Sequence, residues 1–451
     1  MRATDTMNTS LSTESFEKIA ERLRLSMADF ARAYAGESAR RQPVHTVYGG
    51  AHLFKADTAV RLGRLALLSF ETYARDATSF AKVLDLPQDM AATIYERVGE
   101  KLTREAVEDF RIDFEDGYGI RTDAEEDGHA AAAAEEVAKG IAAGTLPPFI
   151  GIRIKAFSKE QYARSIRTFD LFLTALVAAS GGKLPDNFVV TLPKIVTSEQ
   201  VGVLVEIFDE LELKLGLAAG TLKMEMMVET TQSIIAADGR IALPHLFEAA
   251  QGRCMGAHFG AYDYTASCNI TAASQDMLHP ACDFARHMMQ VSLGDTGVWL
   301  SDGATNILPI APHRGENLTA NQIAKNNAVV HRAWKLHYDH CRHSLANGFY
   351  QGWDLHPAQL PTRYAAVFVF FLEGLDAASE RLRNFVETAA QATLVGDVFD
   401  DAATGQGLLN YFLRAINCGA ITEEKALTRT SLTLDELRSG SFLKILATRS
   451  A

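Results

Sequence analysis

Eight short apolar runs recur along the chain, each followed by a longer stretch with helical periodicity, and no other feature restricts the fold so tightly. The runs are VHTVY (44–48), FRIDF (110–114), FIGIRI (149–154), FVVTL (188–192), KMEMMV (223–228), CMGAHF (254–259), VWLSD (298–302) and GFYQGW (348–353). Between them lie segments such as AEEDGHAAAAAEEVAKGI, SKEQYARSIRTFDLFLTALVAA and LHPACDFARHMMQVSL. A strand-then-helix alternation builds a parallel sheet, and eight repeats close into an α/β fold, the (β/α)8 or TIM barrel. An open doubly wound sheet is the rival, but no G-x-G-x-x-G or G-x-x-x-x-G-K-[ST] follows a run.

The flanks read as helices. Phe16, Ile19, Leu23, Met27 and Phe30 recur at spacings of three and four, which predicts an amphipathic helix from Ser10 to about Ala35 within an N-terminal segment 1–43. The first two strands lie about sixty residues apart, so 56–109 is read as a helical insertion after strand 1 of a barrel spanning 44–361. Residues 362–451 read as a C-terminal helical extension that caps the barrel or serves oligomer contacts, and its segment YAAVFVFFLEGL needs burial somewhere.

Composition narrows the partners. Lys and Arg number 44 against 56 Asp and Glu, a net charge of −12, which argues against binding nucleic acid or an anionic membrane over a broad face. A small anionic metabolite held by a few cations or a metal ion is compatible with it. The longest apolar runs, 171–180 and 364–372, are shorter than the roughly 20 residues that cross a bilayer. The N-terminus lacks an apolar core with a cleavage site, which predicts a cytoplasmic protein. Cys254, Cys268, Cys282, Cys341 and Cys418 are odd in number and contain no C-x-x-C, which argues against a disulfide framework or a zinc site.

In a barrel of this kind reactive side chains sit at the C-terminal ends of the strands. That rule selects Glu229 after strand five and Asp263 after strand six, two hard oxygen donors suited to Mg²⁺. It selects Arg153 near the end of strand three, able to grip a carboxylate and stabilise an enolate. It also selects Glu115 and Asp116 after strand two. Two further candidates are His45 on strand one, as a general base, and Lys194 in TLPKI, as a Schiff-base lysine. Each has a plainer reading: the carboxylates as helix caps, Arg153 as a brace for Glu115, and His45 as a hydrogen-bonded structural residue.

Taken in order, the motifs resemble the HpcH/HpaI aldolase and citrate lyase beta-subunit family, which includes malyl-coenzyme A lyase and is similar to malate synthase. DFEDGYG (113–119) resembles its Asp-x-Glu-Asp motif, GIRIKAF (151–157) its Arg-x-Asn segment and TLPKIVTSEQV (191–201) its Leu-Pro-Lys segment. MVETTQSI (227–234) resembles the strand with the metal glutamate, GAHFGAYDYTAS (256–267) the segment with the metal aspartate, and LHPAQLP (355–361) its Ile-His-Pro-x-Gln. The resemblance spans about 44–390. It implies a carbon–carbon lyase or aldolase in which Glu229 and Asp263 hold Mg²⁺ (or Mn²⁺). Arg153, with Gly260 and Ala261, would bind substrate, Glu115 and Asp116 would orient Arg153 or water, and the chain would form a homo-oligomer. The chain departs from the family at Lys155, where Asn is usual, and in the 34-residue gap between Glu229 and Asp263. No coenzyme A signature is present, so a thioester and a free 2-oxo acid both stay open. Two other functions also stay open: phosphoryl transfer or hydrolysis of phosphoenolpyruvate within the wider barrel superfamily, and a non-catalytic binding subunit.

Overall fold

Alternation along each strand sends one set of side chains to the helices and the other to the barrel axis. Ile150 and Ile152, Val190 and Leu192, and Met224 and Met226 are buried on the outer face, while Arg111, Arg153, Thr191, Glu225 and His258 are buried on the inner one. A computed structural model of the chain describes residues 10–36, 40–387, 393–395, 398–400, 402–439 and 441–449.

The elements run α1 (Thr13–Ala33), β1 (His45–Gly50), α2 (Thr58–Tyr73), α3 (Ala77–Leu84), α4 (Ala91–Glu105), β2 (Asp109–Asp113), α5 (Asp123–Ala143), β3 (Phe149–Arg153), α6 (Tyr162–Ser180), β4 (Phe188–Leu192) and α7 (Ser198–Leu215). They continue with β5 (Lys223–Val228), α8 (Thr231–Ile234), α9 (Leu243–Ala249), β6 (Cys254–Phe259), α10 (Ala261–Ser267), α11 (Pro280–Leu293), β7 (Trp299–Ala304), α12 (Ala320–Ala346), β8 (Gln351–Asp354) and α13 (Leu360–Glu373). Last come α14 (Leu375–Glu387), β9 (Thr393–Val395), β10 (Val398–Asp400), α15 (Ala402–Asn417), α16 (Glu423–Thr430), α17 (Leu434–Arg438) and α18 (Phe442–Arg449). Strands β1 to β8 pair in parallel and in sequence order, and β1 also pairs with β8, so the sheet closes into the expected barrel. Helix ends follow local chemistry: Thr122 and Glu125 cap each other at the start of α5, and Gly144 ends it in the left-handed conformation.

The predicted strands lie close to the observed ones. The largest shift is at β8, where a turn through Asn347 and Gly348 (φ +81) delays the strand to Gln351. The stretch 56–109 holds α2, α3 and α4. At the C-terminus the barrel runs past the expected boundary at 361, into the stretch read as an extension. α13 starts just after β8, is buried along almost its whole length and packs against α12 and α4 as the barrel's last helix. The apolar segment 364–372 is therefore covered by its own chain and gives no reason for a second copy. The antiparallel hairpin β9–β10 interrupts sequence read as helical, and residues 388–392 of that reading lie outside the described residues. α1 forms where expected but buries no residue. All five cysteines are free thiols. Among the described residues no helix is long and apolar enough to cross a membrane.

The barrel interior has three layers. At the N-terminal end the rings of Phe149 (β3) and Trp299 (β7) meet edge to face across the axis, 5.9 Å apart. In the middle, Arg111 on β2 reaches Glu225 on β5 through two bonds of 2.7 and 2.6 Å. His258 joins Glu225 at 3.1 Å, and Asp109, Thr46 and Gln351 complete the layer. Towards the C-terminal end Tyr48 packs on Trp353, ring centroids 4.3 Å apart, beside Arg153.

Candidate active site

The site begins with a residue that strand-end reasoning missed. Asp113, the last residue of β2, is fully buried and accepts from Nε and Nη2 of Arg153 at 2.7 and 2.6 Å. It also accepts from the backbone N–H groups of Glu115 (3.0 Å) and Gly117 (2.7 Å), which wraps the loop after β2 around it. A side chain at Gly117 would run into this carboxylate, with a Cβ only 2.5 Å from Oδ2. Asp113 therefore fixes the guanidinium and the loop carrying Glu115 and Asp116. The register Asp113↔Arg153 between β2 and β3 could have signalled it, because paired inward positions on neighbouring strands touch.

With its fork occupied, Arg153 turns Nη1 to the rim, 3.2 Å from Glu115 and 3.7 Å from Asp116. Its carbon lies 4.8 Å from the Tyr48 ring centre and 5.4 Å from that of Trp353, so two aromatic faces shield it. Among the described residues Trp353 Nε1 is buried without a hydrogen-bond partner.

Lys194 draws the rim together. Its backbone sits in the left-handed region (φ +52), and its N–H donates to Glu229 Oε1 at 2.7 Å. Its ammonium pairs with Glu115, bonds both Asp116 oxygens at 3.0 Å and lies 3.9 Å from Asp263. Burial works against that charge, but Glu115, Glu229 and Asp116 outweigh it and raise its pKa. A Schiff-base role needs the opposite, an amine whose pKa is depressed.

Glu229 lies at the end of β5, 1% exposed. Burial, then repulsion from Asp263, pushes its carboxyl up to about 8, although Arg153 and Lys194 pull the other way. Glu115 is also raised, chiefly by burial. Asp116 is lowered, because Arg153 and Lys194 outweigh its burial. Gly260 follows β6 and presses on Glu229: a Cβ there would lie 2.5 Å from the glutamate's Cβ and Oε2. Ala261 is buried at the start of α10, the helix that carries Asp263.

The structure thus brings Arg153, Glu115, Asp116, Glu229 and Asp263 to one rim, with Asp113 and Lys194 added. It does not bring His45 there. His45 is the first residue of β1 and lies outside the barrel wall, where Nε2 accepts from the Glu108 N–H at 3.1 Å and Nδ1 lies 3.7 Å from Asp354. The general-base reading is corrected: that ring ties β1 to its neighbours. Lys155 turns away from the axis, donating to the Phe114 carbonyl at 2.6 Å and pairing with Glu126 of α5 at 3.0 Å.

Among the described residues, Asp113, Glu115, Asp116, Glu229 and Asp263 face two cations, Arg153 and Lys194. That donor chemistry fits a divalent ion: two hard carboxylates, Glu229 and Asp263, repel each other in a pocket short of positive charge. Among the described residues no group of three or more His, Cys, Asp or Glu is arranged to hold a metal.

Residues 23–445 match the family described as "Domain of unknown function (DUF6986)". The chain belongs to DUF6986. No curated protein sequence matches this DUF6986 chain. Among solved structures it is similar to a citrate lyase from Burkholderia xenovorans LB400, at 16% identity and a TM-score of 0.57, over 87% of this chain and 97% of that one. It is also similar to CitE from Mycobacterium tuberculosis in complex with magnesium, acetoacetate and coenzyme A (15% identity, 85% and 100% of the chains, TM-score 0.47). A third is the magnesium/glyoxylate complex of Haloferax volcanii malate synthase (13% identity, 90% and 99%, TM-score 0.45). The likeness of the DUF6986 chain to the citrate lyase is one of fold.

Proposed function

We propose that the chain is a Mg²⁺-dependent carbon–carbon lyase or aldolase acting on a small hydroxy or oxo acid, free or as a thioester. The observation that carries this reading is the shortage of positive charge around Glu229 and Asp263, beside an arginine whose orientation is locked. The citrate lyase that shares the fold supports the reaction class.

Glu229 and Asp263 would hold the ion, which when bound acts as a Lewis acid on an oxygen that gains negative charge. Arg153 presents Nη1 to the substrate carboxylate or to the developing enolate oxygen. Because Asp113 holds the rest of the guanidinium, this donor needs no reorganisation when charge develops. Tyr48 and Trp353 wall the floor and keep water from the arginine. Lys194 keeps Glu115 and Asp116 oriented at the rim.

The test is Mg²⁺-dependent release of pyruvate, glyoxylate or an acetyl thioester from a panel of 2-hydroxy and 4-hydroxy-2-oxo acids and their thioesters. We expect turnover on at least one member, lost in Glu229→Gln and Asp263→Asn together with Mg²⁺ affinity. Unchanged Mg²⁺ affinity in both variants overturns the metal assignment. Tight Mg²⁺ binding with no turnover across the panel favours a binding subunit instead.

A further inference from the structure

In the turn after β4, the backbone and the side chain of Lys194 act on the rim in different ways. The backbone N–H donates to Glu229 Oε1 at 2.7 Å, from the left-handed conformation (φ +52). The Thr230 hydroxyl donates to the Ile195 carbonyl at 2.6 Å, so the ends of β4 and β5 are stapled on both sides of the glutamate. The side chain is a separate device. Its ammonium pairs with Glu115, bonds both Asp116 oxygens at 3.0 Å and lies 3.9 Å from Asp263. Arg153 also reaches Glu115 and Asp116, but among the described residues Lys194 is the cation ion-paired with Asp263. The outer side of this contact is open: the Lys194 and Asp116 side chains are 30% and 55% exposed, which leaves the ammonium room to turn outward.

We infer that the Lys194 ammonium is a built-in stand-in for the divalent cation, compensating the rim carboxylates in the metal-free chain and giving way when the cation binds. The inference rests on the reading of Glu229 and Asp263 as the cation's ligands. At 3.9 Å from Asp263, the ammonium competes with any other cation for that carboxylate. Like charges held so close repel, most strongly where water is scarce. The flexible four-carbon stem of a lysine lets its charge leave, at the cost of the contacts to Glu115 and Asp116. The bond from the backbone N–H to Glu229 does not depend on the side chain, so the glutamate stays placed while the charge departs. Arg153 cannot play this part. Asp113 holds its guanidinium through two hydrogen bonds, and two rings shield it. Lys194 therefore regulates the site by lowering its affinity for the cation. A plainer role, in which the lysine only orients Glu115 and Asp116 to assist the cation, predicts the opposite sign when the charge is removed.

The experiment is calorimetric titration of Mg²⁺ into the full chain and its variants, with melting curves at each metal concentration. It is run at about pH 9, where proton displacement from Glu229 masks the exchange least. We expect Lys194→Met to bind Mg²⁺ about tenfold tighter than the parent, or more. Lys194→Gln, which keeps a hydrogen-bond donor without the charge, should gain affinity in the same direction and serves if Lys194→Met does not fold. Lys194→Arg keeps a cation on the same carboxylates and should bind no tighter than the parent. Lys139→Met removes the same charge from the exposed face of α5 and should stay within about twofold, which separates local exchange from net charge. Without metal, Lys194→Met should melt below the parent, and saturating Mg²⁺ should raise its melting temperature by more. Unchanged or weaker Mg²⁺ binding in the uncharged Lys194 variants overturns the inference, as does an equal gain in Lys139→Met. The cation-site reading fails on a different result, Mg²⁺ affinity that survives in both Glu229→Gln and Asp263→Asn. Absence of Mg²⁺ binding in the parent and in both uncharged Lys194 variants overturns the two together.

Discussion

Arg153 carries two loads, and the variants that separate them differ by one partner. Lysine in its place keeps a charge but gives up the planar fork held by Asp113 and the Nη1 donor. We expect Arg153→Lys to lose turnover by ~10²-fold or more, the scale of one lost oxyanion donor. It should also unfold more easily, because a buried carboxylate loses its partner, a change of about 3 kcal/mol or more. Urea unfolding and turnover measured on one preparation check both, and a variant with full activity would remove Arg153 from the chemistry. Glu229 supplies a second expectation. With its carboxyl held up at about 8, it carries a proton at neutral pH that must leave when a cation binds. Mg²⁺ titrations in two buffers of different ionisation enthalpy should show proton release at pH 7, fading above pH 8. His45 titrates with the opposite consequence for the fold. Burial holds its ring down to about 4 against the pull of Asp354 and Glu108, from an ordinary 6.5. As pH falls, the unfolded chain therefore takes up this proton first. The ring's contribution is complete above pH 6.5 and is lost between 6.5 and about 4, ~3 kcal/mol at the limit. Stability curves over pH 4–8 should fall less steeply in His45→Gln. The rim residues were legible because the strand-end rule is local to each run. Asp113 needed the register between two strands. Lys194 is a candidate by sequence, but no periodicity announces its role, which a left-handed backbone and three carboxylates set. His45 stands at the start of its strand, and applying the same rule strictly would have set it aside.

Elements were legible as types, less so as neighbours. The spacing of Phe16, Ile19, Leu23, Met27 and Phe30 gave the helix α1, but periodicity says only that a face is apolar, not what covers it. Among the described residues nothing does: all five side chains are exposed. We expect removal of residues 1–34 to leave the melting temperature within ~1 °C of the parent, since a helix that buries nothing contributes little to the barrel. A larger drop would mean that α1 is covered in an assembly, and light scattering on both chains would show it. α13 is the reverse case. Its run of Ala, Val and Phe reads as a sticky surface when taken alone, yet α12 and α4 enclose it. A helix that is apolar all round belongs in an interior, and that pattern could have decided the matter. The hairpin β9–β10 was not legible, because three-residue strands carry too few positions for either period.

At the scale of the molecule, the alternation of strand and helix was enough for the closed barrel, whereas a net charge of −12 gave no hint that ionised groups lie across its middle. Glu225 links Arg111, His258 and Thr191 there. Removing its charge should destabilise the whole barrel by ~3–5 kcal/mol, as expected when one partner of a buried network is lost. Denaturant unfolding of Glu225→Gln checks this, and a change under about 1 kcal/mol would mean that the layer relaxes or hydrates. That layer also lies beneath both ends of the barrel, a cavity at the N-terminal mouth on one side and the arginine and carboxylates of the rim on the other. A charge removed from it is felt at both ends at once, while a substitution at one end leaves the chemistry of the other free to change on its own.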